Sequence, residues 1–170
     1  MIQVLADRLL QALQEVEPLY YRLILLVGPA GSGRTAALRQ VAEQVQGQVL
    51  NVNLALSERL LELGARQRVL RLPQVLEEIV RNAPEPLLLD NLEILFDAAL
   101  QQDPLRLLQG LSRHRPVVAT WNGTTDGTRL FYAEPGHPEH RRYDRAEALI
   151  LCAGGPRPGD KTQTQGEVMA

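Results

Sequence analysis

The eight residues Gly28-Pro29-Ala30-Gly31-Ser32-Gly33-Arg34-Thr35 carry the clearest chemical signal in the chain. Their spacing is that of the phosphate-binding loop G-x-x-x-x-G-K-[ST], with arginine in the lysine position. Glycines at such spacing let backbone N–H groups turn inward around phosphate oxygens, and a helix starting behind them adds its positive end. Thr35 offers a hydroxyl for Mg²⁺. Arg34 keeps the positive charge of lysine but spreads it over a wider, planar guanidinium. Nucleotide binding at Gly28–Thr35 is therefore expected, and hydrolysis by the isolated chain is left open.

A second set of residues could complete such a site. Leu87-Leu88-Leu89-Asp90 reads as an apolar strand ending in a carboxylate, the pattern that holds Mg²⁺ through water in P-loop nucleotidases. Asn91 follows, which can orient a water but cannot accept its proton. Glu93 lies close enough to substitute as a base, although an exposed surface role also fits. Val117–Asn122 ends a further strand in polar residues, so Asn122, or alternatively Thr120, could read the γ-phosphate. Asn122-Gly123 is equally an ordinary turn signal. Arg141 and Arg142, with Arg145, precede the last strand. That is the sheet edge opposite the nucleotide, roughly 16 Å away within one subunit, so they would reach a phosphate only in a neighbouring copy. A solvated stretch paired with Glu139, Asp144 and Glu147 is the simpler reading. His114, His137 and His140 have no metal-ligand spacing.

The elements that must position these residues alternate in type. Residues 2–16 place Ile2, Leu5, Leu9, Leu13 and Val16 on one helical stripe, stopped before Pro18. Leu23–Val27 is a short unalternating apolar run, as expected of a strand covered on both faces. Leu38, Val41, Ala42 and Val45 then repeat at helical spacing. Val49–Asn53 reads as a second strand, Ser57–Leu63 as a short helix with Gly64 at its exit, and Pro73 as the start of the next helix. Leu76, Ile79, Val80 and Ala83 would form its buried face. Leu87–Asp90 is the third strand. Asp103-Pro104 opens a helix to about Ser112, Pro116–Trp121 is the fourth strand, and Ala148–Cys152 the fifth. Residues 122–145 read as a loop with a short helix near Pro138–Tyr143, and 153–170 as a disordered tail. Alternating strands and helices imply an α/β fold: a P-loop, AAA-like, five-stranded parallel sheet with its ligand at the strand C-terminal ends.

Composition narrows the function. The 170 residues suit one α/β domain, here 1–152, and 45% are hydrophobic. The formal charge of −2 gives no bulk case for nucleic-acid binding. Cys152, the only cysteine, excludes an internal disulfide. Of the 18 basic residues, all but Lys161 are arginine, so Arg34 follows a chain-wide habit. Neither a signal peptide nor an apolar span is legible, so a cytoplasmic protein with no membrane partner is expected.

Several segments together resemble one family: BrxF, the small P-loop protein of type 3 BREX bacteriophage-defence systems. They are Leu25–Pro29, Asn51–Leu54 with Leu60–Leu63, Leu89–Asp97, Asp103–Leu108, Thr120–Gly123, Tyr132–Pro138 and Arg141–Tyr143, which span most of residues 20–152. The resemblance implies ATP as the ligand, beside the Mg²⁺ expected at Thr35 and Asp90, and a place in a multi-protein antiviral complex. Its partners would be the large BREX ATPase, a phosphatase-like protein and a DNA methyltransferase, with DNA contacted only indirectly. With only 18 residues beyond Cys152, no helical lid after the fifth strand is expected. A partner or a second copy, in a homo-oligomer, would then complete the site. Two other functions stay open: a small-molecule kinase with Arg66, Arg68 and Arg71 on a lid, and a non-catalytic module with a degenerate P-loop. A GTPase is disfavoured, because no Asn-Lys-x-Asp segment is present.

Overall fold

Apolar runs without polar alternation need cover on both faces, and the structure supplies it. The computed structural model describes residues 2–133 and 137–154. Strands β1 (Leu23–Val27), β2 (Val49–Asn51), β3 (Leu87–Asp90), β4 (Val117–Trp121) and β8 (Leu149–Cys152) form a sheet in the order β2-β3-β4-β1-β8. Every pairing in it is parallel. The expected five-stranded parallel sheet is thus present.

The period-2 geometry of the strands sorts their side chains between two cores. Ile24, Leu26, Leu88 and Val118 face α1 (Ile2–Val16) and α2 (Arg34–Val45). Leu23, Leu25, Val27, Leu87, Leu89, Val117, Ala119 and Trp121 face the other layer. That layer holds α3 (Val52–Leu60), α4 (Ala65–Val80) and α5 (Pro104–Ser112). By the same parity Asp90 and Thr120 point toward α2, the helix that follows the glycine-rich loop.

Several expectations are corrected. The stripe of α1 is rotated toward Ala6 and Ala12, leaving Ile2 43% exposed beside Gly33. The second strand ends at Asn51, and α3 starts at Val52 rather than Ser57. Asn51 is both the last residue of β2 and the N-cap of α3, its side chain accepting from Leu54 N at 3.0 Å. Pro73 lies inside α4 and does not start it. A helix-interior proline leaves the carbonyl four residues earlier without its donor. Here that carbonyl, Val69 O, accepts from Gln102 Nε2 at 2.9 Å.

The largest correction concerns 122–145. Residues 123–125 (β5), 130–132 (β6) and 141–143 (β7) form an antiparallel sheet in the order β5-β6-β7. The helix expected near Pro138–Tyr143 is a single turn, with His140 N donating to His137 O, followed by β7. The sheet is tied down by aromatic rings. Tyr132 stacks on Phe96 with centroids 3.5 Å apart, and Trp121 meets Phe96 and Tyr143 edge-on at 5.0 and 5.9 Å. The tail expected over 153–170 lies outside the described residues from 155 onward; Ala153 and Gly154 continue past β8 beside the glycine-rich loop.

Candidate functional site

The loop Gly28–Gly33 joins β1 to α2 at the C-terminal edge of the sheet. Gly28 N donates to Trp121 O at 3.1 Å, and Ala153 N to Val27 O at 2.8 Å, so the neighbouring strands fix where the loop starts. A Cβ on Gly28 would stand 2.7 Å from Ser32 Oγ and 3.2 Å from Ala153 Cβ and O. A side chain there would have to move both Ser32 and the Ala153 backbone. Gly33, with φ 90°, turns the chain into α2 as its N-cap without a side-chain cap. The first N–H groups of α2 therefore lack a side-chain acceptor, as an anion site requires. Ser32 Oγ donates to Pro29 O at 2.7 Å and stiffens the turn. Pro29, Ala30 and Gly31 are exposed at the rim.

Thr35, on the first turn of α2, donates from Oγ1 to Asp90 Oδ2 at 2.7 Å. Thr120 donates from Oγ1 to Asp90 Oδ1, also at 2.7 Å. Both oxygens of one carboxylate are thus held by hydroxyls from two other elements. The sheet order explains this: β4 lies between β1 and β3, so its Thr120 sits between the glycine-rich loop and Asp90. Asp90 is 5% exposed and Thr120 4% exposed, and no described buried side-chain polar atom lacks a hydrogen-bond partner. Thr120, the alternative to Asn122, is therefore the residue brought to Asp90. Asn122 is half-buried and makes no side-chain hydrogen bond among the described residues.

Beyond Asp90 the chain turns through Asn91, whose φ is 55°, into a 3₁₀ helix over Glu93–Phe96. Asn53, on the first turn of α3, grips this segment three times. Its backbone N donates to Asn91 O at 2.8 Å, its Nδ2 to Glu93 Oε2 at 3.0 Å, and its Oδ1 accepts from Ile94 N at 2.7 Å. Glu93 is half-buried and held, not a free surface carboxylate. The sequence reading missed Asn53; its position just past a strand-ending asparagine was the available signal. Arg34 is half-buried on α2. Burial pulls its guanidinium below the ordinary value, while the carboxylates of Asp90 and Glu93 oppose that pull. Phenols behind the site are pushed up: Tyr132 by burial and then Glu93 and Glu139, to about 12, and Tyr143 by burial and its 2.8 Å hydrogen bond to Asp103 Oδ1.

Arg141 and Arg142 sit on β7, and their expected position is corrected. α5 ends at the N-terminal edge of the sheet, where Arg22 N donates to Ser112 O. Its first residue therefore lies about 13 Å away, toward the C-terminal edge, and Tyr143 of β7 bonds the capping Asp103 there. The two arginines are engaged within the chain: Arg141 Nη2 donates to Gln102 O and Arg142 Nε to Asp144 Oδ1, each at 2.8 Å. Arg66, Arg68 and Arg71 lie in α4 instead of on a lid, and Arg68 Nε bonds Leu60 O and Leu63 O at the end of α3. Among the described residues no group of three or more His, Cys, Asp or Glu is placed to hold a metal ion. No described helix is long and apolar enough to cross a membrane.

The arrangement fits a nucleoside triphosphate with Mg²⁺. An exposed glycine turn leading into a helix N-terminus without a side-chain cap suits phosphate, and adjacent hydroxyl and carboxylate oxygens at Thr35 and Asp90 are the hard donors magnesium prefers. The fold and this site define an AAA-type nucleotide-binding domain. Residues 24–120 match the family described as AAA, the ATPase family associated with various cellular activities, and the chain belongs to it. No curated protein matches the chain. The structure of C. elegans PCH-2 is similar at 19% identity with a TM-score of 0.42, over 99% of this chain and 45% of PCH-2. The chain thus spans under half the length of that protein.

Proposed function

We propose that the protein binds ATP with Mg²⁺ and serves as an assembly or switch subunit of a bacterial antiviral complex of the BREX type. The observation that carries the nucleotide reading is Asp90 held between Thr35 and Thr120 at the mouth of the glycine-rich loop. In this reading the loop amides and Arg34 bind phosphates, and Thr35 and Asp90 hold the metal. Bound Mg²⁺ would neutralise charge on the phosphate oxygens. Thr120 fixes the orientation of Asp90, and Asn53 fixes Glu93. Asn91 has no basic atom for a water proton, so Glu93 is the carboxylate available for slow turnover.

The antiviral setting rests on the family resemblance of the sequence segments, and a partner or second copy would complete the exposed rim. Calorimetric titration with ATP and Mg²⁺ tests the first claim: heat of binding in the wild type, lost in Thr35→Ala and weakened in Arg34→Ala, is expected. Absence of binding in the wild type would leave the non-catalytic module. Turnover measured alone and with the large BREX ATPase tests the second; full activity of the dilute chain alone would refute dependence on a partner. Glu93→Gln should abolish turnover and leave binding intact.

A further inference from the structure

A cavity of about 170 Å³ opens between the end of α3 and the chain that follows β3. Leu60, Ile94 and Leu100 give it an aliphatic floor, in which Leu60 and Leu100 are buried and Ile94 is half-buried. Leu61, 73% exposed, carries the apolar lining out to solvent. Arg68, from α4, and Asp97 are the charged residues of the lining. No residue of the glycine-rich loop takes part.

Arg68 and Asp97 line the same small cavity, yet among the described residues neither forms an ion pair. Elsewhere on the chain neighbouring charges do pair: Arg59 with Glu78, Arg115 with Glu77, Arg129 with Asp126 and Arg142 with Asp144. Backbone groups hold the two cavity charges instead. Arg68 Nε donates to Leu60 O and Leu63 O, each at 2.9 Å, and so satisfies carbonyls left over at the end of α3. Its two Nη groups have no hydrogen-bond partner among the described residues. Asp97 Oδ1 accepts from Ala99 N at 3.0 Å, capping the 3₁₀ turn Ala98–Leu100, and its Oδ2 has no partner among the described residues. A fixed cation and a fixed anion thus face one aliphatic cavity, each with hydrogen-bonding atoms unused.

We propose that this cavity binds a free α-amino acid with an aliphatic side chain, its carboxylate on Arg68, its ammonium on Asp97 and its side chain against Leu60, Ile94 and Leu100. A guanidinium held by its Nε presents its remaining N–H groups as a planar fork that matches a carboxylate. An apolar cavity of about 150 Å³ holds a benzene molecule, so the space here suits a side chain the size of leucine. A simple carboxylate would meet Asp97 with nothing to offer it, and a simple amine would meet Arg68 in the same way. A chain terminus of another protein carries only one of the two charges. The zwitterion satisfies both.

The test is a titration of the isotope-labelled full chain with L-leucine, followed through backbone amide chemical shifts. Shifts at Leu61, Ile94 and Leu100 that saturate by about 10 mM are expected. Isovalerate lacks the ammonium and isoamylamine lacks the carboxylate, while both keep the side chain. Each should bind at least about tenfold more weakly than leucine. Asp97→Asn keeps an oxygen to cap Ala99 N, so the fold should survive. It should weaken leucine about tenfold without weakening isovalerate. Loss of both ligands alike would make Asp97 merely structural and overturn the proposal. So would absence of saturation, equal affinity for the three ligands, unchanged leucine affinity in Asp97→Asn, or shifts confined to residues 28–35.

Discussion

Two threonine hydroxyls hold the two oxygens of Asp90, and removing each should have an opposite consequence. Thr120 is 4% exposed, so in Thr120→Val no water can readily replace the lost donor to Asp90 Oδ1. A hydrogen bond to a charged group contributes about 1.5–3 kcal/mol. For a chain of this length that corresponds to a fall in melting temperature of about 3–12 °C. Valine keeps the shape and suits a strand, so the loss is that of the hydrogen bond. Thr35 is only half-buried at the mouth of the loop, and water can take its place beside Asp90 Oδ2. Thr35→Val should therefore change stability by no more than about 0.5 kcal/mol. It should instead weaken Mg²⁺-dependent ATP binding at least about tenfold, or about 1.4 kcal/mol. The assays are thermal melting of the free protein and calorimetric titration with ATP, with and without magnesium. Equal melting temperatures for Thr120→Val and wild type, or equal destabilisation by both substitutions, would refute the division of labour.

Gly28→Ala should abolish nucleotide binding with little loss of secondary structure, because its Cβ meets Ala153 backbone as well as the movable Ser32 side chain; calorimetry and circular dichroism read the two effects. Gln102→Ala should cost about 1–2 kcal/mol in urea denaturation by stranding Val69 O. The cost should shrink when Pro73→Ala restores a helical donor, a coupling that a double-mutant cycle measures. High pH should destabilise the fold through Tyr132, whose folded value is raised above its unfolded value near 10. Its contribution is whole below pH of about 10 and is lost as pH rises through about 12. Tyr132→Phe should flatten this part of the stability profile, read by denaturation at stepped pH alongside ultraviolet titration of tyrosinate.

The site was legible where chemistry is local. The glycine spacing of 28–33, Thr35 one residue into a helix, and Asp90 ending an apolar strand are each contained in a few consecutive residues, and each lies where the sequence places it. The boundaries of α5 were equally legible, since Asp103 and Pro104 cap and start a helix without help from the rest of the chain. Pro73 misled because proline reads locally as a start, whereas a glutamine 29 residues later satisfies the carbonyl it orphans. The β5–β7 sheet was invisible for the opposite reason. Strands of three residues carry no measurable period, and their stability comes from rings of Phe96 and Trp121 outside them.

What the sequence determined by itself was therefore the glycine-rich loop, the strand-ending carboxylate of Asp90, and a set of apolar strands alternating with helices. Tertiary structure alone decided which polar side chains share the site. Inserting β4 between β1 and β3 brings Thr120 to Asp90 in place of Asn122. Packing α3 over the end of β3 gives Asn53 its hold on Glu93, across a separation of 40 residues. Local propensity specifies which element a residue joins, but hydrogen bonds between elements depend on strand order and crossover, which no short window of sequence contains.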